Sequence, residues 1–189
     1  HSFPTRRSSD LTLFALTPTE AIFVETPFNL DIYSSRTQAF FYFAQYIYAS
    51  RIIALQLNVF HQIAKSIGNP RVPVIYLSHT ARCGSTLLCQ LAEYSGGTDA
   101  HGSTGNGIAF SQPDCLFNIL DMLIQGLVTK ETAESLVCDS VRVLCKPVAS
   151  KPDTCLYFIK PRYIGIQWVP YLVKHMPFKI GRASCRERV

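Results

Sequence analysis

No two cysteines in the chain stand at CxxC spacing, although there are seven of them, and this absence argues against a structural zinc site. No apolar run is long and clean enough to cross a bilayer. The most apolar stretch, residues 39–60, is interrupted by Gln45, Arg51, Gln56 and Asn58, which makes it too polar for a span. Internal repeats are missing as well, so solenoids and propellers are set aside. Disorder is equally disfavoured, because 48% of the residues are hydrophobic and such a chain buries a real core.

What is there begins with two unusual ends. Residues 1–11, His-Ser-Phe-Pro-Thr-Arg-Arg-Ser-Ser-Asp-Leu, read as a sequencing-library adapter translated in one frame. Residues 180–189, from Ile180 to Val189, read as the complementary strand of the same adapter. Both ends are expected to be foreign, and foreign ends are excluded from fold reasoning. Setting aside Arg6, Arg7, Arg182, Arg186 and Arg188 together with Asp10 and Glu187 lowers 18 basic and 13 acidic residues to 13 and 11. The net charge falls from +5 to +2, and the case for a basic nucleic-acid binder falls with it. About 168 residues remain, enough for one domain. Of the six cysteines left, Cys83, Cys89, Cys115, Cys138, Cys145 and Cys155, buried free thiols are the preferred reading, and the compartment stays open.

Along the chain, residues 12–72 read as a helical lead-in. Ala21–Val24 suits a short strand, and Asp31–Ile67 reads as helix, with Ser34 or Ser35 as its cap, Phe40, Phe43, Ala44 and Ile47 as its core face and Gly68 as its stop. Residues 73–179 form the second unit. Val74–Leu77 and Leu156–Lys160 are short apolar runs of the kind buried in a parallel sheet. Helices are expected over Ser85–Tyr94, Cys115–Leu127, Lys130–Leu144 (capped by Thr129) and Ile164–His175. The stretch from His101 to Gly107 reads as a polar loop, and Met176-Pro177-Phe178 as the approach to another strand. Strand, crossover helices, strand, helix makes an α/β protein with a parallel sheet and flanking helices.

The informative stretch is Ser78-His79-Thr80-Ala81-Arg82-Cys83-Gly84-Ser85-Thr86-Leu87-Leu88. A strand, a glycine-bearing loop and a helix together form an anion site, because the first N–H groups of the helix have no internal partner and the helix dipole adds to their pull. Gly84 admits close approach, Ser85 and Thr86 add hydroxyls, and Arg82 adds a forked cation. The common nucleotide-triphosphatase loop has a lysine after its second glycine. Here Ser85 stands in that place, and His79 replaces the first glycine, which weakens a kinase or triphosphatase reading.

Ala81-Arg82-Cys83-Gly84-Ser85-Thr86 instead resembles the sulfotransferase loop of Pro, a basic residue, Ser, Gly and two hydroxyl residues, with Ala81 for Pro and Cys83 for Ser. The Gly-Ser-Thr-Leu-Leu run is similar to a sulfotransferase-like branch found in animals. The resemblance spans about Thr12 to Lys179 and is strongest between Ile75 and Glu93. It implies a P-loop NTPase-like three-layer fold and a site for 3′-phosphoadenosine-5′-phosphosulfate (PAPS). It also implies His79, Thr80, Arg82, Cys83, Gly84, Ser85 and Thr86 around the 5′-phosphosulfate, with Arg82 on the bridging oxygen of the leaving phosphate. Phe158-Ile159-Lys160-Pro161-Arg162 is similar to a basic strand end of that family, so Lys160 and Arg162 are ligand or acceptor contacts, or else a solvated pair closing a strand. Ser111-Gln112-Pro113-Asp114 matches a Ser-Glu-Pro-Asp segment. Gln112 has no useful proton affinity, so Asp114 is the substitute base, or a helix N-cap. His79 orients phosphate or acts one shell out, and His101 is a loop histidine. The acceptor is a small molecule or a glycan. The resembled family's Arg and Ser for the 3′-phosphate would follow Lys179, so the expectation is a truncated chain with half a cofactor site and no transfer activity. A non-catalytic nucleotide-binding protein of the same fold is the alternative.

Overall fold

The structure is a computed structural model that describes residues 11–27, 29–79, 84–94 and 106–176. Two small sheets share one core. The first is antiparallel and runs in the order β1 (Leu11–Leu16), β2 (Glu20–Glu25), β3 (Arg51–Gln56). The second is parallel, with β6 (Leu156–Lys160) between β4 (Val74–Tyr76) and β5 (Gly107–Ser111). Helices α1 (Phe41–Tyr48), α2 (Leu57–Ile67), α3 (Ser85–Glu93), α4 (Asp114–Ile124), α5 (Lys130–Leu144) and α6 (Val169–His175) complete it, with a 3-10 turn over Tyr163–Trp168 before α6. No described helix is long and apolar enough to cross a membrane.

The α/β class with a parallel sheet stands. Period-two alternation sends Val74, Tyr76, Ile108, Phe110, Tyr157 and Ile159 to one face, into the main core. The alternate residues Ala109 and Phe158, with Leu77 and the partly buried Ile75, meet Cys89, Ala92 and Leu88 of α3 on the other. Both faces are covered, as a parallel sheet requires. Phe110, 1% exposed, is the hub of an aromatic cluster. It meets Phe41 and Tyr33 edge-on at 5.1 and 6.1 Å and stacks on Tyr157 at 6.2 Å.

The expected helical lead-in is different. Asp31–Ile67 is not one helix, because Arg51-Ile52-Ile53-Ala54-Leu55-Gln56 forms β3, in unbroken register with β2. Two adjacent β-branched isoleucines favour the strand. Ser34 and Ser35 cap nothing, since α1 starts at Phe41 behind Phe40. The face α1 buries is Phe41, Ala44 and Gln45, whereas Phe43 and Ile47 are 39% and 48% exposed. Leu11, expected to close a foreign leader, pairs with Glu25 in β1. Gly107, expected at the end of a loop, opens β5. The cap by Thr129 is present, its hydroxyl accepting the Thr132 N–H at 3.2 Å. Gly68 ends α2 at φ 75°. Cys89, Cys115, Cys138 and Cys145 are buried free thiols, and Cys155 is partly buried. Cys83 and His101 lie outside the described residues, as does the strand expected from Pro177 on.

Candidate functional site

The site is built at the carboxyl end of the parallel sheet, where ligands of open α/β sheets bind. Past Tyr76 the Leu77 N–H still donates to the Ile159 carbonyl at 2.8 Å, so the chain leaves the sheet at Ser78 and His79. The His79 ring uses Nε2 against the Pro161 carbonyl at 2.8 Å. That bond ties the start of the loop to the end of β6, so the role of His79 seen here is positioning. Thr80, Arg82 and Cys83 lie outside the described residues.

The chain re-enters at Gly84, whose φ of 75° and ψ of 9° are left-handed. A side chain is strained there, which is why the residue before α3 is glycine. Ser85 opens the helix and is buried. Thr86 follows, its hydroxyl accepting from Lys160 Nζ at 3.4 Å. Lys160 closes the central strand and is 2% exposed. Its ammonium also lies 5.6 Å from the centre of the Phe40 ring, a cation–π distance. Gly84, Ser85, Thr86 and Lys160 therefore come together, and Lys160 is not a solvated strand end. Beneath them lies the Cys89 thiol; burial pushes it up to about 11, and the nearby Lys160 ammonium pulls the other way.

The second cluster is Arg162 with Asp114. Arg162 Nη2 donates to Asp114 Oδ1 at 2.8 Å, and its guanidinium lies between the rings of Tyr42 and Phe117, at 5.2 and 4.7 Å. Arg162 Nε is buried without a hydrogen-bond partner among the described residues. Asp114 is the first residue of α4 rather than its cap, because Pro113 occupies the cap position. Burial raises the proton affinity of its carboxyl above the ordinary value, and Arg162 partly offsets this. Between the clusters, Gln112 has a φ of 56°, the one positive-φ residue other than glycine among those described. Its N–H donates to the Lys160 carbonyl at 2.7 Å. Strained backbone of this sort, costing about 1–3 kcal/mol, concentrates at functional positions.

The aromatic wall was not legible as part of a site. Phe40 and Tyr42 stack on each other at 6.1 Å and cover Lys160 and Arg162, where the sequence suggests only core packing. The segment that carries them is held from the far end of α3. Glu93, 9% exposed, accepts from the Ser35 N–H at 2.9 Å and from its hydroxyl at 3.0 Å, and Arg36 Nη2 donates to the Tyr94 hydroxyl at 2.8 Å. Burial raises the Glu93 carboxyl above its ordinary 4.5, and the Ser35 bonds act against this. With the native value above the unfolded one, the fold favours the neutral acid. Its contribution is complete below the unfolded value and is lost as pH rises through the native one. In Glu93→Gln that dependence should vanish. Denaturant titrations from mildly acidic to neutral pH should show the stability difference moving in favour of the variant as pH rises.

No family model, no curated protein and no solved structure matches this chain.

Proposed function

We propose that the protein is sulfotransferase-like: it binds the 5′-phosphosulfate of PAPS and serves sulfuryl transfer to a hydroxyl or amine of a small-molecule or glycan acceptor. The observation that carries the reading is Lys160, a buried ammonium at the end of the central strand that reaches Thr86 in the first turn of α3. A helix N-terminus and a fixed cation aimed at the same point suit a multiply charged oxyanion. The strand order agrees with a P-loop NTPase-like fold, since the strand before the loop pairs with the third strand of the parallel sheet and not with the second. Transfer of this kind asks for positioning and charge stabilisation more than for covalent help. Arg82 and the hydroxyls of Ser85 and Thr86 would meet the phosphosulfate. Asp114 would take the acceptor's proton, with Arg162 tuning it.

Calorimetry on the intact chain tests this. Heat of binding is expected with PAPS and with adenosine 3′,5′-bisphosphate, and none with ATP and magnesium. Binding of ATP alone would replace the reading with a kinase or triphosphatase, and no binding of any of the three would end it. Two observations favour a non-catalytic variant of the same reading: an Asp114 oxygen is already engaged by Arg162, and position 112 holds an amide. Gln112→Glu separates the two, because transfer gained by that change marks a site short of a base, while PAPS binding without transfer in both forms marks a binding protein.

A further inference from the structure

We propose that β3 is a self-pairing edge through which two copies of the chain join their antiparallel sheets into one of six strands. Among the described residues β3 pairs only with β2. Folded proteins blunt such edges with bulges, short strands, proline or charge. Two of the other three edges here show those devices, and the third, β5, is buried along its whole length. β1 carries a bulge between Leu13 and Ala15, and its Leu16 N–H is taken by Asn118 Oδ1 at 3.4 Å. β4 is only three residues long. β3 has none of them: six residues run in unbroken register with β2 and without proline. Its one charged side chain, Arg51, sits at the first position and is held by Glu25 at 2.7 Å.

The flanking surface has the same character. Thr12, Val24 and Ile52 are cross-strand partners and share a face. Over β1 and β2 that face is covered, Gln45 of α1 donating to the Thr12 hydroxyl at 2.9 Å, and Thr12 and Val24 are 4% and 2% exposed. At β3 the cover stops, and Ile52 is 68% exposed.

The strand is also compatible with itself. In an antiparallel pair of identical strands, opposed residues point to the same face, so a two-fold axis must pass through a residue. An axis through Ile53 sets Ile52 against Ala54 of the partner subunit and Arg51 against Leu55 of the partner subunit. An axis through Ala54 sets Ile53 against Leu55 of the partner subunit and Ile52 against Gln56 of the partner subunit. Neither register opposes Arg51 to its own copy, so no like charges meet.

Light scattering on the intact chain across a dilution series tests the proposal. A mass of two chains is expected, falling to one on dilution. The double variant Ile52→Lys with Ala54→Lys changes only exposed side chains and should give a single-chain mass at every concentration, with unaltered thermal unfolding. A control on α3, Leu87→Lys with Leu91→Lys (59% and 58% exposed), should stay dimeric. A monomeric unaltered chain, a dimeric β3 variant, or loss of the dimer in the α3 variant alone would each overturn the proposal.

Discussion

Gly107→Ala should destabilise the fold by about 3 kcal/mol or more, a large share of the roughly 5–15 kcal/mol that holds a domain folded. A methyl group built on Gly107 would stand 1.9 Å from the Ala92 carbonyl oxygen and 3.0 Å from its carbon. Both are backbone atoms of α3, so no rotamer change relieves the contact. Relief requires α3 to move off β5, which opens the packing of Cys89 and Ala92 on Ala109 and Phe158. A urea titration reads the effect as a large drop in midpoint. Gly126→Ala supplies the comparison: its φ of 70° disfavours a side chain, but the new methyl would touch nothing within 4 Å, so the cost should be near 1 kcal/mol. Equal effects at the two glycines would show that close approach is not the cause.

Lys160→Met should leave a folded protein that binds PAPS about 10- to 100-fold more weakly. Methionine keeps most of the length and the apolar stem of lysine and removes the desolvation cost of a buried ammonium. The anion, in contrast, loses a charged hydrogen-bond donor worth about 1.5–3 kcal/mol, which is one to two decades in affinity. Calorimetry and thermal unfolding on the same sample separate the two outcomes. Unchanged affinity in a folded variant would remove Lys160 from the site, and an unfolded variant would make it a structural residue.

The second half of the chain is legible in the sequence because local signals and tertiary context agree there. Val74–Tyr76, Leu156–Lys160, Ser85–Glu93 and Lys130–Leu144 form where apolar runs, helical periodicity and caps place them. The first half misleads because Phe40 to Ile67 is apolar enough to fit a helical period almost anywhere. Only the pairing of Ile52 and Ile53 with Val24 and Phe23 decides for a strand, and such pairing is invisible to a local pattern. β5 is hidden for another reason: Gly107 and Ala109 are small because α3 presses on them, and small residues read as loop. At the site, the loop motif leads to Gly84, Ser85 and Thr86, and the strand end leads to Lys160 and Arg162. The Arg162–Asp114 pair, the wall of Phe40 and Tyr42, and the grip of Glu93 on Ser35 arise from contacts between residues 48, 120 and 58 positions apart in the chain, respectively, and no local spacing announces them.

The grip of Glu93 on Ser35 makes α3 a lever with both ends loaded. Nine residues of helix are a stiff rod of about 13 Å. One end bears Ser85 and Thr86 at the proposed anion site; the other holds the segment that leads to Phe40 and Tyr42 over Lys160 and Arg162. In the proposed reading a tilt of the rod at its first end moves its second end as well, so ligand binding at Ser85 and Thr86 and the setting of the aromatic wall are linked through one helix.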